Sequence, residues 1–115
     1  MSTFKVQQLD PWSHSGTSLQ GYISTSYDKL VHVFGPPTMD ETSADNKVDI
    51  EWVLQIQEDN DEPITVTIYN WKDYDGGRFA SESDEYNWHI GGNNPIDAIT
   101  LKQAFEQLLE MEENV

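Results

Sequence analysis

The chain has 115 residues, which fits a single domain spanning residues 1–115, and it carries a formal net charge of -15. It contains no cysteine, which excludes disulfides, thiolate metal sites and thiol nucleophiles and favours a reducing compartment. The charge disfavours nucleic acid and membranes as direct partners. The first residues lack the apolar segment of a signal peptide, and no apolar window reaches the roughly 18 residues of a membrane span.

Two elements are predicted before residue 40. Residues 4–9 are a candidate edge strand. Residues 25–34 are predicted to form a helix, because apolar side chains recur at the spacing of one helical face. Those side chains are Tyr27, Leu30, Val31 and Phe34. Thr25 and Asp28 resemble a capping box at its start, and Gly35 followed by two prolines ends it.

Alternating apolar and polar residues predict two further strands, over residues 47–57 and 63–71. The inner-face residues are Val48, Ile50, Trp52, Leu54 and Ile56 in the first strand and Ile64, Val66 and Ile68 in the second. The short acidic turn Glu58–Glu62 separates them. Strands joined by so short a turn are expected to form an antiparallel hairpin.

A third strand is predicted over residues 86–91, where Tyr86, Trp88 and Ile90 alternate with Asn87 and His89. Asn94 followed by Pro95 is typical of a helix start, and the apolar spacing beyond it predicts a helix over residues 95–112. The sequence therefore predicts an α+β fold. Its antiparallel sheet has three or four strands and packs with two helices.

Acidic residues concentrate in the turns and loops. The candidate partner-binding set is Asp40, Glu41, Asp45, Asp49, Glu51, Glu58, Asp59, Asp61, Glu62, Asp73, Asp75 and Asp84. Duplex DNA carries one charge per roughly 1.7 Å of axis, so the net charge would match about 25 Å of duplex if it lay along one face. Such a DNA-mimic-like surface would bind the basic surface of a host protein or nucleoprotein complex. The alternative is that the acids only keep the protein soluble.

Aromatic residues form a second candidate site. A symmetric hairpin would pair Glu51 with Tyr69 on the sheet face opposite the core, and the third strand would bring His89 alongside. Exposed aromatic side chains are unfavourable unless something covers them. Residues 1–23 could cover them in a second small core, or a nucleotide could stack there with its phosphate near a cation. The candidate ligand-binding residues are Tyr69, Trp71, Lys72 and His89.

Catalytic and metal-binding patterns are weak. His89 precedes two glycines, but the segment matches neither a catalytic triad nor a phosphate-binding loop. His14 and His32 are far apart in sequence, which disfavours a metal cluster. Asp73–Gly77 resembles the start of a calcium loop but lacks its later ligands. We therefore expect no catalytic residue, no metal and no cofactor, and a protein that is not an enzyme.

The spacing of aromatic residues and glycines over roughly residues 18–110 forms a distinctive pattern. It consists of Gly21-Tyr22-Ile23, Ser26-Tyr27, Leu30, Phe34-Gly35-Pro36, Lys47, Trp52, Ile68-Tyr69-Asn70-Trp71-Lys72 and Trp88-His89-Ile90-Gly91-Gly92. The pattern resembles a group of small uncharacterised accessory proteins of viral genomes, chiefly bacteriophages. This resemblance implies a protein that acts in the cytoplasm of an infected host cell, where many accessory proteins neutralise host defences.

Two functional hypotheses follow. The leading one is an acidic viral protein that inhibits a host nucleic-acid-handling defence complex, of the anti-CRISPR or anti-restriction type, through its anionic surface. The alternative is a protein that binds or sequesters a nucleotide signal with the aromatic residues, Lys72 and His89. An inert assembly component and a homodimer are both compatible with the sequence.

Overall fold

The computed structural model describes residues 2–14 and 16–113. Within them the chain forms, in order, β1 Phe4–Gln8, the 3-10 helix Pro11–His14, β2 Ser18–Thr25, α1 Tyr27–Phe34, β3 Glu51–Glu58, β4 Ile64–Tyr69, α2 Arg78–Glu82, β5 Tyr86–Gly92 and α3 Pro95–Glu113. Each helix in this described part of the chain is too short or too polar to cross a lipid bilayer.

The strands form one antiparallel sheet in the order β1-β3-β4-β5-β2. The predicted α+β fold is therefore confirmed, including the hairpin of β3 and β4 and the edge position of β1. The pairing of Glu51 with Tyr69 is also the one that a symmetric hairpin predicts. These matches fix which side chains share a face of the sheet.

The sheet has more strands than the three or four predicted, because β2 forms its second edge. Only two β2 residues, Ile23 and Thr25, are buried, and the register shifts between Leu19 and Gly21. An edge strand with one buried apolar residue and an irregular register has little of the alternation that identifies strands in a sequence. The five-residue helix α2 was also not predicted, and it is too short to show helical periodicity.

The main core lies between one face of the sheet and helices α1 and α3. Its centre is a T-shaped pair of fully buried indoles, Trp52 and Trp88, with ring centroids 5.5 Å apart. The indole N–H of Trp52 donates to the carbonyl of Gly35 at 2.9 Å, and that of Trp88 donates to the carbonyl of Thr25 at 3.0 Å. Both buried polar groups are thus satisfied, and each ties the sheet to a boundary of α1.

The two ends of the sheet carry different connections. At what we call the loop end, residues 35–50 lead into β3 and residues 70–85 lead out of β4. At the hairpin end lie the β3–β4 turn and the start of β1. Helix α3 reaches the hairpin end, where the Gln107 side chain donates to the carbonyl of Ser2 at 2.8 Å.

A buried amide joins the two connections at the loop end. The Oδ1 atom of Asn70 accepts from the backbone N–H groups of Asp49 at 2.8 Å and Ile50 at 2.9 Å. Its Nδ2 atom donates to carboxylate oxygens of Asp49 at 2.9 Å and Asp73 at 3.1 Å. The Tyr86 hydroxyl also donates to Asp73, at 2.6 Å, and burial raises the pKa of Tyr86. Asn70 itself is fully buried.

Replacing Asn70 with Ala should lower the free energy of unfolding by about 3 kcal/mol or more. The substitution leaves two backbone N–H groups and a carboxylate without their buried partner, and each such group costs about 1–3 kcal/mol. Chemical denaturation measures the change. Asn87→Ala is the control, because Asn87 is exposed and should lose less than about 0.5 kcal/mol. Equal stability of the two variants would contradict a structural role for the network.

Candidate ligand-binding site on the open face of the sheet

The sheet face opposite α1 and α3, here called the open face, carries a row of four paired residues. Glu51 of β3 pairs with Tyr69 of β4, Tyr69 pairs with His89 of β5, and His89 pairs with Tyr22 of β2. Directly paired residues in a sheet have neighbouring side chains on the same face. The register therefore assembles these four side chains from four strands.

The rings in this row form a cluster with Trp71, which follows β4. The ring centroids of Tyr69 lie 6.0 Å from Trp71 and 5.4 Å from His89, and those of Trp71 and His89 lie 6.1 Å apart. Tyr22 packs edge-on against His89 at 4.9 Å. We call Tyr22, Tyr69, Trp71 and His89 the aromatic cluster. Three of its members were predicted as ligand-binding residues, and Tyr22 extends the cluster onto β2.

Two lysines flank the indole of Trp71. The Nζ atoms of Lys47 and Lys72 lie 5.9 Å and 5.6 Å from its ring centroid, within the range of cation–π attraction. The backbone N–H of Lys72 donates to the carbonyl of Lys47 at 2.7 Å, which brings the two segments together. Lys72 was predicted as a site residue. Lys47 was missed because it comes from a different loop, remote in sequence.

A cavity of about 430 Å³ opens beside the aromatic cluster. Its floor is the open face, including Glu51, Thr67, Tyr69 and Gly91, and Trp71 stands at its side. The loop of residues 39–49 forms much of its wall. The volume falls within the usual range of small-molecule sites, roughly 300–1,000 Å³. The sequence indicated the aromatic rings but not this cavity, because its wall is an irregular loop without periodicity.

Gly91 has no side chain and therefore leaves space at the floor of the cavity. A Cβ atom at this position would collide with the hydroxyl of Thr67, because it would lie closer than real Cβ contacts allow. The pairing of Gly91 with Thr67 across β4 and β5 thus depends on the missing side chain. Gly91 lies inside β5, which extends to Gly92, one residue beyond the strand predicted over residues 86–91.

The described residues of the segment before α1, 2–14 and 16–23, cover the open face only in part. The 3-10 helix packs against β3 and β4, and Val53 and Thr67 are buried on this face. Trp12, however, is 74% exposed, and Trp71 remains 37% exposed. The cover over this face is thus limited to the packing of the 3-10 helix, and it leaves the Trp71 indole accessible.

His89 contributes a buried polar atom to the cluster. Its Nδ1 atom is buried and has no hydrogen-bond partner among the residues that the structure describes. Burial among the rings lowers the pKa of His89 from its ordinary value of 6.5, and the nearby carboxylate of Asp73 only partly opposes this effect. The neutral imidazole therefore keeps one buried donor or acceptor without a partner in the described part of the chain.

The predicted acidic set does not form one continuous surface. Asp49 and Glu51 are buried, so they are corrected here from partner contacts to internal groups. Asp40, Glu41, Asp45, Asp73, Asp75 and Asp84 lie at the loop end, and Glu58, Asp59, Asp61 and Glu62 lie at the hairpin end. The eight residues of β3 separate these groups by about 23 Å.

Asp75 has a local structural role that accounts for the resemblance to a calcium loop. Its carboxylate accepts from the backbone N–H groups of Gly77 at 3.0 Å and Phe79 at 2.9 Å, at the start of α2. This is the pattern of a carboxylate capping a helix terminus. Among the side chains that the structure describes, no group of three or more His, Asp or Glu residues could hold a metal ion.

The fold and the site together define an α+β domain with a partly covered sheet face, a cavity and a cluster of aromatic rings. No protein-family model matches the chain, and neither does any curated protein or solved structure.

His89 should titrate with a midpoint below 6.5, and NMR of its ring protons measures that midpoint. Because the folded chain binds this proton less readily than the unfolded chain, the stability that neutral His89 contributes is present above about pH 6.5. It should be lost as pH falls from there towards the folded pKa. Trp71→Ala should admit water and raise the midpoint. A midpoint at or above 6.5 in the unmodified protein would contradict this account of burial.

Proposed function

We propose that this protein binds a small molecule of the nucleotide class at the open face and holds it without chemical change. The arrangement around Trp71 carries this proposal. An accessible indole, two lysines and a cavity of about 430 Å³ adjoin one another. A nucleotide has the complementary parts, because its base has a planar π-face and its phosphate is an anion.

The distribution of cations supports an anionic group on the ligand. The chain has only six Lys and Arg residues at a net charge of -15, yet two of the six lie beside one indole. Neither Lys47 nor Lys72 forms a salt bridge with another residue that the structure describes, whereas Arg78 pairs with Glu82 at 3.5 Å elsewhere on the surface. A phosphate beside Trp71 would therefore meet two ammonium groups in a molecule that otherwise repels anions.

Stacking of a base on the Trp71 indole also supports a nucleotide as the ligand. Base–aromatic stacking contributes about 1–3 kcal/mol for each base, and Trp71 has 37% of its surface exposed for such a contact. Tyr69 and His89 hold the indole from one side, so the ring loses little freedom when a ligand binds. The resemblance to viral accessory proteins gives such binding a use, which would be the removal of a nucleotide signal in the cytoplasm of an infected host cell.

Trp71→Ala should weaken the binding of nucleoside monophosphates roughly tenfold or more, because the variant loses the stacking surface. Isothermal titration calorimetry measures the affinity. Trp12→Ala is the matched control, since Trp12 is 74% exposed and lies outside the cavity lining. The affinity of this variant for nucleoside monophosphates should be unchanged. If the unmodified protein binds no nucleoside monophosphate, or if the two variants lose affinity equally, the proposed function is wrong.

A second candidate is inhibition of a host nucleic-acid-handling complex through the acidic surface. The exposed acids of the loop end favour it, because Asp40, Glu41 and Asp45 lie close together on one loop. Such a surface would be attracted to the basic nucleic-acid channel of a host complex. On this candidate the partner is a protein or nucleoprotein complex rather than free nucleic acid, and a homodimer would present the surface twice.

Charge reversal separates this candidate from simple solubility. Changing Asp40, Glu41 and Asp45 to Lys should abolish capture of a basic host complex, whereas changing Asp59, Asp61 and Glu62 to Lys should not. Both triple variants alter the net charge by the same amount. If net charge alone governed binding, capture of the host complex would therefore weaken equally in the two variants. Affinity for the captured complex, measured at rising salt, should also fall steeply. An affinity that is independent of salt would exclude charge mimicry.

A further inference from the structure

The two edges of the sheet differ in charge. β1 forms one edge and β2 the other, and neither has a further strand partner within the described part of the chain. A free edge presents backbone N–H and C=O groups that can pair with another strand, and proteins usually protect it with charged side chains or proline. β1 has such protection. It contains Lys5, and a groove beside its start is lined by Glu58, Glu106 and Glu110.

The edge at β2 lacks this protection. Its eight residues, Ser18–Thr25, include no Asp, Glu, Lys, Arg or Pro, and the neighbouring strand β5 includes none either. In a chain with a net charge of -15, these two strands therefore form an uncharged margin of the sheet. The register shift near Leu19 is confined to the start of β2, and residues 21–25 pair regularly with β5. The outer edge of this regular part is suited to receive another strand.

Exposed apolar side chains lie along the same margin. Leu19 and Tyr22 are 46% and 45% exposed, and their pairing with β5 places both on the open face. On the other side of the sheet, the start of α3 packs against β2 and carries the exposed side chains of Ile96 and Ile99. Apolar side chains beside a free strand edge favour association, because contact with a partner removes them from water.

We propose that two copies of this chain associate through β2, which pairs antiparallel with β2 of the second copy. The product is one ten-stranded sheet with β1 at both outer edges. A second copy suits this edge because the antiparallel pair of identical strands is symmetric, so one contact satisfies both free edges. It also suits the charge, because two chains of net charge -15 repel each other least where both surfaces are uncharged.

The symmetry of this dimer places the two open faces together. The two-fold axis of an antiparallel strand pair is perpendicular to the sheet, so both open faces lie on the same side. Leu19 and Tyr22 of one chain then lie near the same side chains of the other chain, across the new strand pair. The association itself does not depend on a bound nucleotide, so it is tested without one.

Sedimentation velocity at several protein concentrations measures the association. The unmodified protein should form dimers, and their dissociation constant should fall about fivefold or more as ionic strength rises from about 0.05 M to about 0.5 M, because salt screens the repulsion between two anions. A protein that stays monomeric at every concentration and ionic strength would overturn the inference. A dimer that weakens as salt rises would also overturn it, since its contact would then depend on pairs of opposite charges.

Charge introduced at the two edges locates the contact. Leu19→Glu should weaken the dimer about tenfold or more, because each copy would bring an unpaired carboxylate to the strand pair. Gln7→Glu is the matched control, since it adds the same charge to an exposed position of the other edge strand, β1. This variant should dimerise as the unmodified protein does. Equal weakening by the two substitutions would contradict a contact at β2.

Distances between spin labels test the same geometry without added charge. Because the chain has no cysteine, Ser24→Cys and Gln7→Cys each accept one nitroxide label. Labels at position 24 should lie within about 25 Å of each other, since both are on the paired strands. Labels at position 7 should lie about 40 Å or more apart, because nine spacings of about 4.8 Å separate the two β1 strands.

Pulsed dipolar electron paramagnetic resonance measures both distances. Short distances at position 7, or distances well above about 25 Å at position 24, would place the contact elsewhere and overturn the inference. Ser24 and Gln7 are both exposed, so these variants decide the question even if Leu19→Glu does not fold.

Discussion

The buried amide of Asn70 is the contact on which the proposed ligand site depends. It joins the backbone before β3 to the segment that follows β4 through four hydrogen bonds inside the end of the sheet. The same junction brings the carbonyl of Lys47 to the N–H of Lys72, and both side chains then reach the Trp71 ring. A site built from two loops remote in sequence is thereby held in place before any ligand arrives, which favours binding by preorganisation.

Most of the sheet could be predicted because its central strands alternate strictly between a core face and an open face. The alternation around Trp52 and Trp88 is strong, and both indoles are fully buried. The edge strand β2 escaped prediction for a physical reason. A strand that buries little on either face and contains a register shift gains its stability from pairing with β5, and pairing leaves no periodic signal in the residues themselves.

The same contrast applies to the site. Tyr69 and His89 could be placed together because they lie on regular strands and alternate with residues of the core face, whereas a short turn sets only the register of β3 with β4. Lys47 and the cavity wall could not, because their positions depend on an irregular loop held by side-chain hydrogen bonds. Charge alone was the least reliable guide. Glu51 belongs to an acidic segment of the sequence and was predicted to contact a partner, yet the fold buries it.

Gly91 has a consequence for how easily such a site could be lost during evolution. One base change in a glycine codon produces alanine, and the added methyl group would collide with the hydroxyl of Thr67 beneath the cavity. The domain could then relax by shifting β4 against β5, which would disturb the row of paired residues that includes Tyr69 and His89. The proposed binding surface is thus separated from a blocked form by a single mutational step. The same shift would also reach the hydrophobic core, because the paired residues Ile68 and Ile90 of these strands lie on the other face of the sheet.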